Sequence, residues 1–288
     1  MAKRTYRGRR RTHPLRLLLL TLLIAAGAVC FYDSNYRLQT EVFTISFADL
    51  PEGFDGCRIV QLSDLHGAHY GEDNDELICA IRSAQPDYIV ITGDTLDRFR
   101  ETPHSYAVQL CTALMDIAPT YFVTGNHEWA LPNIRDLKAA IAQTGAVVLS
   151  NEFTTLERGG DTIVLAGIDD PNGFADQKTP EELSKEIYAA YDDPFWLMLA
   201  HRNNYFAKQY CRLGADLVLS GHAHGGMIRL PGTDGLIGVE RELFPSYTAG
   251  LYEADGAKLF VSRGLGNSGP SFRLFNRPQV AVLTLKRG

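Results

Sequence analysis

Apolar runs of strand length alternate with helix-patterned segments through the first half of the chain. The runs cover residues 58–63, 87–92 and 120–124, and helical spacing follows them near residues 74–84, 105–117 and 133–143. Strands that alternate with helices pair in parallel and carry the helices on the faces of the sheet. This half of the chain therefore predicts an α/β sheet.

The second half of the chain has a different pattern. Two strand-like runs, 152–157 and 162–168, flank Gly159-Gly160, which predicts a β-hairpin. A helix near 180–191 should begin at Thr179, because this capping residue is followed by a proline and two acids. Further apolar runs predict strands at 41–47, 146–150, 195–200, 216–220, 258–262 and 279–285. Together these elements predict an α/β fold of two mixed sheets packed against each other, with helices outside.

The first 32 residues do not fit that pattern. Residues 17–31 form an uncharged apolar stretch, which reaches eighteen residues if Leu15, Arg16 and Tyr32 are included. That length is near the lower limit for a helix that crosses a bilayer. Residues 1–32 also carry seven basic and no acidic side chains, and positive flanks stay in the cytoplasm. We expect a transmembrane signal anchor at 1–32, with one pass through the cell membrane and the body of the protein outside the cytoplasm.

Three other interpretations of this leader stay open. Ala26-Gly27-Ala28 is an acceptable cleavage site for a signal peptide, and cleavage there would release a secreted protein. The arginine run loosely resembles a twin-arginine export signal. The third interpretation is a buried core helix, although the flanking positive charges oppose it.

The acidic body limits the class of partner. Beyond residue 32, there are 21 basic and 34 acidic side chains. A general nucleic-acid-binding protein needs a basic surface, so we expect no nucleic acid as a partner. An acidic body also suits a site that attracts cations.

The five cysteines predict free thiols. They form no CxxC pair and their spacings match no zinc module. Four of them lie on or beside apolar runs and should be small, buried core residues: Cys57, Cys79, Cys111 and Cys211.

Metal-binding residue types follow five of the predicted strands, at the point where each strand ends. The segments are Asp64-Leu65-His66, Gly93-Asp94, Gly125-Asn126-His127, His201, and 221–226 with His222 and His224. In open α/β sheets, ligands gather at the carboxyl ends of strands, so we expect these side chains at one edge of a sheet. Five of the eight histidines fall in these segments. His13, His69 and His104 lie outside them, although His69 is close enough to approach the site.

These residue types suit a divalent cation, because carboxylate oxygen and imidazole nitrogen bind hard or borderline metals. Asp64 and His66 are two residues apart, so in extended backbone they point to the same side. Asp94 could bridge two ions, and Asn126 offers a neutral carbonyl oxygen. Any one of these residues alone could instead be a strand-end cap or a surface group. Their joint pattern indicates a metal site.

Taken in order, the segments resemble the calcineurin-like metallophosphoesterases. The shared motifs are Asp-x-His at 64–66, Gly-Asp-x-x-Asp at 93–97, Gly-Asn-His-Glu at 125–128, a lone histidine at 201, and Gly-His-x-His at 221–224. The resemblance covers about residues 57–226. The tail segments 263–266 and 276–278 resemble the exported, membrane-anchored bacterial branch of the family. The motif set is specific for the family and not for a substrate.

The resemblance implies a fold, a cofactor and a ligand set. The fold is a four-layer αββα sandwich of two mixed sheets, formed by a catalytic domain at 57–288 after a linker and first strand at 33–56. The cofactor is a pair of divalent ions, either manganese, iron, zinc or cobalt. One ion would be held by Asp64, His66, Asp94 and His224, and the other by Asp94, Asn126, His201 and His222. Members often have a proline shortly after the lone histidine, whereas Arg202-Asn203-Asn204 follows here.

The resemblance also assigns catalytic roles. His127 would protonate the leaving group or steady the phosphate, and Asp97 would orient His127. Such a partner would raise the pKa of His127 and keep it charged. The alternative for Asp97 is a helix N-cap. Arg98 could bind phosphate oxygens or stay solvated, and Asp169-Asp170-Pro171 fits a turn better than a supporting role.

These residues predict a binuclear-metal-dependent phosphoester hydrolase. Two cations can clamp a phosphoryl group and hold a bridging hydroxide, which would attack phosphorus in line. The anchor favours a lipid or envelope phosphodiester or pyrophosphate as the substrate. One alternative is a nucleotide phosphatase or cyclic-nucleotide phosphodiesterase, which could stack a base on Tyr205, Phe206, Tyr247 or Tyr252. The other is a non-catalytic scaffold, which should lack some ligands. The oligomeric state is left open.

Overall fold

Two six-stranded sheets form the body of the protein. The computed structural model describes residues 14–174, 176–230, 233–269 and 271–288. The strands in these ranges are β1 Gln39–Phe47, β2 Arg58–Leu62, β3 Tyr88–Thr92, β4 Thr120–Val123, β5 Val147–Val148, β6 Glu152–Arg158, β7 Asp161–Gly167, β8 Trp196–Arg202, β9 Leu217–Gly221, β10 Gly250–Ala254, β11 Ala257–Val261 and β12 Gln279–Arg287. The α-helices are α1 Pro14–Tyr36, α2 Asp75–Ser83, α3 His104–Met115, α4 Asn126–Ala130, α5 Ile134–Ala142 and α6 Pro180–Ala190.

Both sheets are mixed, as predicted. The first has the order β1-β12-β2-β3-β4-β5 and is parallel except where β12 meets β2. The second has the order β10-β11-β9-β8-β7-β6, and its outer pairs β10–β11 and β6–β7 are antiparallel. The β6–β7 pair is the hairpin that Gly159-Gly160 predicts. The sequence pattern missed β10 and the short helix α4.

Apolar side chains fill three layers. One cluster lies between the sheets and includes Ile59, Val90, Leu197 and Leu219. The other two lie beneath the helices, α2, α3 and α5 on the first sheet and α6 on the second. Strands covered on both faces are apolar throughout rather than alternating, which explains the continuous runs in the sequence.

The helix ends follow the local sequence. Thr179 caps α6, since its side chain accepts from the Glu182 amide and Glu182 reaches back to the Thr179 amide. Cys57, Cys111 and Cys211 are buried free thiols, as expected, but the expectation for Cys79 is wrong. Cys79 is exposed because α2 turns its buried face, with Leu77 and Ile81, the other way.

Helix α1 lies outside this core. It is long and apolar enough to cross a membrane, and none of its most apolar eighteen-residue window is buried. The interpretation as a buried core helix is therefore wrong. Its last turn does contact the body, because Ser34 and Asn35 are buried. The Ser34 hydroxyl accepts from the Phe275 amide, and Asn35 both accepts from and donates to the backbone of Arg273.

Candidate metal centre

The predicted ligand side chains meet where strands from both sheets end. Asp64 and His66 follow β2, Asp94 follows β3, and Asn126 follows β4, all in the first sheet. His201 lies near the end of β8, and His222 and His224 follow β9, in the second sheet. The expectation of one edge of a single sheet is wrong, because the two packed sheets end at the same side of the molecule and share the site.

The backbone at these turns is left-handed rather than extended. Asp64, His66, Asp94, His222 and His224 have φ values from 48° to 67°. The two side chains in each i, i+2 pair therefore converge because of these left-handed turns and not because side chains alternate along a strand. A non-glycine residue in this region costs about 1–3 kcal/mol, and such residues cluster at functional sites. The fold maintains five of them here, which indicates that the positions of these side chains matter.

Glycines make room for these turns. A side chain at Gly125 would collide with Asp94, and one at Gly221 would collide with Ser63 and Asp64. Gly93 has φ 86° and leaves a Cβ position only 2.6 Å from the Gly125 amide. At these three positions, the absence of a side chain allows the ligand-bearing turns to approach each other closely.

One group of possible ligands lies on the β2 side. His66 Nε2 is 3.1 Å from His224 Nε2 and 3.8 Å from Asp94 Oδ2. His224 Nε2 is 3.6 Å from Asp64 Oδ1. All four of these residues are buried.

A second group lies on the β8 side. His201 Nε2 is 3.2 Å from each of three atoms: Asp94 Oδ2, Asn126 Oδ1 and His222 Nδ1. Asp94 Oδ2 thus faces both groups. It lies where a bridging ligand between two ions is expected.

The donor set fits divalent cations. Carboxylate oxygen, amide oxygen and imidazole nitrogen atoms of neighbouring residues lie 3.1–3.8 Å apart. Among the described residues, the buried nitrogens His66 Nδ1 and His222 Nε2 have no hydrogen-bond partner. Unpartnered buried polar atoms are costly. Groups of three side chains that could hold an ion occur on both sides of Asp94.

The titration of the site follows from its burial. Burial lowers the pKa of His66 and His222 well below the usual value, so both rings are neutral, as ligands must be. Burial also raises the pKa of Asp64 to about 6. His201 differs, because Asp94 and Asp64 outweigh its burial and raise its pKa to about 10, so a metal ion that binds His201 has to displace a proton from it. Burial likewise opposes the charge of Asp94, but the positive charge on His201 holds the pKa of Asp94 well below its usual value.

Glu128 fixes the backbone of the turns that carry Asp94 and Asn126, a role that the sequence did not predict. Its carboxylate accepts from the amides of Asp94, Leu96 and Gly125 at 2.8–2.9 Å. Burial, followed by the charge of Asp94, raises its pKa to about 7. The spacing of Glu128 three residues after Gly125 is that of a helix capping box, which is the signal that could have found it.

Arg273 holds the second-sheet side. It is fully buried, and its Nη2 atom lies 3.2 Å from His224 Nδ1. The pKa of His224 falls to about 3, first because of burial and then because of this guanidinium. No motif in the sequence marks Arg273, so only the fold identifies it.

His127 and Asp97 contact each other as expected. His127 Nδ1 is 3.2 Å from Asp97 Oδ1, and His127 Nε2 faces Ser268 Oγ at 3.3 Å. The expected rise in the pKa of His127 is wrong, because burial outweighs Asp94 and Asp97 and lowers it. Asp97 is not a helix N-cap, since no helix begins there. Its carboxylate also accepts from the amides of Phe99 and Gly269.

A cavity of about 720 Å³ opens above the centre. Asp94, Asn126, His127, His222 and His224 form part of its wall, together with three arginines, Arg98, Arg202 and Arg241. Arg98 is exposed, and its guanidinium lies 4.6 Å from the centroid of the Phe99 ring. Arg202 is paired with Asp170, and Glu240 adds one acid to the wall, so Arg98 and Arg241 are the arginines that present positive charge to a ligand beside the possible metal ligands.

Asp169 and Asp170 do more than form a turn. Asp170 is buried and accepts from Arg202 at 2.7 Å, which fixes the residue after His201. Asp169 accepts from the Thr124 hydroxyl and pairs with Lys138. The preference for a simple turn is wrong, because Asp169 bonds to Thr124 after β4 and Asp170 bonds to Arg202 at the end of β8.

The remaining candidate residues lie away from the centre. His69 packs on Tyr106 and lines a separate cavity, and His104 begins α3. His13 lies outside the described residues. Phe206 is fully buried against Tyr247, so it offers no surface on which a base could stack.

Comparison with known proteins identifies relatives of this arrangement. The family model for calcineurin-like phosphoesterases matches residues 57–226. The Bacillus subtilis protein named as the uncharacterized metallophosphoesterase YkuE is 31% identical over 88% of each chain. A Bos taurus transmembrane protein with a metallophosphoesterase domain is 31% identical over 82% of this chain and 54% of its own length.

One solved structure supports the fold. The Thermus thermophilus sulfate thiohydrolase SoxB matches 83% of this chain and 58% of its own, with a TM-score of 0.51 and 12% identity. Identity at this level shows a likeness of fold alone, and the two-sheet architecture is confirmed on that basis.

Proposed function

The chain belongs to the calcineurin-like phosphoesterase family and is a phosphoester hydrolase, and we propose that it works with two divalent metal ions at the centre described above. The observation that carries this proposal is the position of Asp94 Oδ2, which lies 3.8 Å from His66 Nε2 and 3.2 Å from His201 Nε2. A single carboxylate oxygen between two groups of ligands suits a bridge between two ions.

The ligand sets follow from the two groups. We assign one ion to Asp64, His66, Asp94 and His224, and the other to Asp94, Asn126, His201 and His222. When bound, such a pair polarises phosphoryl oxygens and lowers the pKa of water. The mixed nitrogen and oxygen donors suit manganese, iron, zinc or cobalt.

The chain's own residues bind the phosphate and move the proton. His127 lines the cavity and its Nε2 atom faces the cavity residue Ser268, so a proton held at Nε2 can pass to the leaving oxygen. The Arg98 amide donates to His127 Nδ1, which positions the ring. Arg98 and Arg241 line the same cavity and can donate to phosphoryl oxygens. Both arginines are exposed, whereas the carboxylates of the centre itself are buried.

Helix α1 serves as the membrane anchor in this proposal. Its basic flank, residues 1–13, predicts a cytoplasmic N-terminus, which places the catalytic body, 57–288, outside the cytoplasm after a linker and first strand. Retention of the helix is supported by its buried last turn, where Ser34 and Asn35 bond to the tail of the catalytic body. A scaffold without activity is disfavoured because all seven ligand positions are filled.

The test uses the full-length protein in detergent, stripped with a chelator and reloaded with manganese. We expect it to hydrolyse bis(4-nitrophenyl) phosphate in a metal-dependent way. Asp94→Asn should lower kcat/KM by at least about 1,000-fold, because it removes the bridging charge shared by both ions. Asp116→Asn, which makes the same change at an exposed helix end, is the matched control. A wild-type rate for Asp94→Asn would refute the assignment.

A further inference from the structure

Exposed apolar side chains surround the mouth of the catalytic cavity. Phe99, Val239 and Phe272 line it, and Leu243, Phe244 and Phe275 stand on the same loops. Leu243 and Phe244 are 71% and 74% exposed. These six residues are named the apolar rim below. Leu243 pairs with the cavity residue Ile237, and Leu274, which precedes Phe275, pairs with the cavity residue Ile228.

The apolar rim contacts the end of helix α1. The Phe31 ring packs on the Phe272 ring with centroids 6.1 Å apart. The next turn of α1 is fixed beside it, because Asn35 bonds to the backbone of Arg273 and Ser34 to that of Phe275. One wall residue of the catalytic cavity is thus a direct neighbour of the membrane helix.

This contact determines the depth of the rim relative to a bilayer. The apolar stretch of α1 ends at Tyr32, and Asp33 follows it. Aromatic residues concentrate at the boundary between lipid and water, and Phe31, Tyr32 and Tyr36 form such a group. With α1 as the membrane anchor of the proposed function, Phe31 would lie at that boundary, and so would Phe272, the rim residue that contacts it. A cluster of exposed apolar side chains is costly in water but favourable in contact with lipid.

The charges inside the mouth point to an anionic headgroup. Arg98 and Arg241 line the cavity, and neither forms an ion pair within the described part of the chain. The body as a whole is acidic, whereas the outer wall of this cavity has two exposed arginines, Arg98 and Arg241, against one acid, Glu240. Apolar groups outside and positive groups inside match a molecule with an apolar tail and a negatively charged head.

We propose that the cavity opens onto the lipid surface and that the substrate is a phosphoester of an amphiphile. The phosphorylated head would enter between Arg98 and Arg241, while the apolar tail stays in the bilayer against the apolar rim. This inference rests on the proposed function, because the same centre hydrolyses the ester. It adds the class of substrate and the direction from which it enters.

The test compares two diesters that share a leaving group and differ only in their tail. Full-length, manganese-loaded protein is reconstituted into vesicles of dioleoylphosphatidylcholine. The probes are methyl 4-nitrophenyl phosphate in water and hexadecyl 4-nitrophenyl phosphate in the vesicles. We expect kcat/KM to be at least about 10-fold higher for the hexadecyl ester, as burial of apolar surface allows. The triple variant Leu243→Ser/Phe244→Ser/Phe275→Ser should lose this ratio.

The control is Val147→Ser/Leu251→Ser. It removes two exposed apolar side chains from β5 and β10, each an edge strand of its sheet. Neither residue lines the catalytic cavity, so the variant should keep the wild-type ratio. If the wild-type protein cleaves neither ester, the proposed function itself is overturned. Cleavage of the methyl ester without preference for the hexadecyl ester would overturn the lipid proposal alone.

A second measurement does not depend on activity. In Phe244→Trp, the added indole should be quenched by vesicles of brominated phosphatidylcholine, beyond any quenching of the two natural tryptophans in the unmodified protein. Equal quenching in the variant and the unmodified protein would show that the rim lies away from lipid and would overturn the proposal.

Discussion

The metal centre and the apolar rim lie next to each other and are built in opposite ways. Every carboxylate at the centre is buried and its turns have left-handed backbone fixed by glycine contacts. The rim consists of irregular loops joined by isolated bridges such as Ile228–Leu274 and Ile237–Leu243, and its side chains are largely exposed. Surrounding residues fix the side chains of the centre, whereas the side chains of the rim are largely in contact with solvent.

We therefore expect the centre to determine the rate of hydrolysis and the rim to determine which substrates bind. A change at the centre should reduce hydrolysis of every ester, because the same buried groups act on the phosphorus of any substrate. A change at the rim should alter which esters are accepted and leave the chemical step intact. The variants below test this division from the centre outward.

Apart from Asp94→Asn, the largest effect is expected for His127→Gln. If His127 supplies the proton for the leaving oxygen, an alkyl ester should lose about 100- to 10,000-fold in kcat. A 4-nitrophenyl ester should lose far less, since its leaving group departs without a proton. The measurement is kcat for one series of diesters whose leaving groups differ in pKa.

His104→Gln is the control for this series, because His104 lies at the start of α3 and away from the cavity. An equal loss for alkyl and 4-nitrophenyl esters in His127→Gln would contradict the proton-transfer role. It would instead indicate that His127 steadies the phosphate.

An intermediate effect is expected for Arg273→Gln, which sharpens the comparison because Arg273 belongs to the rim loop but contacts His224. Loss of a buried group that orients a metal ligand typically costs 10- to 100-fold in metal affinity. We therefore expect the manganese concentration for half-maximal activity to rise by about that factor, with kcat largely recovered at saturating manganese.

Arg273→Lys keeps the charge and should restore part of the affinity, while Arg212→Gln changes an exposed arginine and should have no effect. A drop in kcat that manganese does not rescue would assign Arg273 a structural role instead of a positioning role.

The convergence of these side chains could be predicted from the sequence because all of them except His201 follow a buried strand, and His201 lies near the end of one. The apolar runs before Asp64, Asp94 and Asn126 gave the strands, and parallel strands end together. The assignment to one sheet failed, since periodicity reports which residues are buried and not which sheet a strand joins. The left-handed turns were also invisible, because Asp and His adopt them here only under the constraint of the surrounding fold.

The rim could not be predicted from the sequence. Phe272 and Phe275 lie in a loop without periodicity, and an isolated phenylalanine in a loop does not by itself indicate a function. The proposed role of the rim depends on the contact between Phe272 and Phe31, which are 241 positions apart in the chain. Arg273 has the same property, since its partner His224 is distant in sequence.

The smallest effect is expected for Arg98→Ala and Arg241→Ala, at the boundary between centre and rim. Both side chains are exposed and line the cavity, so water and salt screen their contacts with phosphate. We expect KM for a phosphodiester to rise about 3- to 5-fold in each variant, with kcat nearly unchanged. The rise should shrink as ionic strength increases, because exposed charges are screened. Arg82→Ala, on the exposed side of α2, controls for a general change in charge. A large fall in kcat in either variant would place that arginine at the centre, and the division between the two regions would then fail.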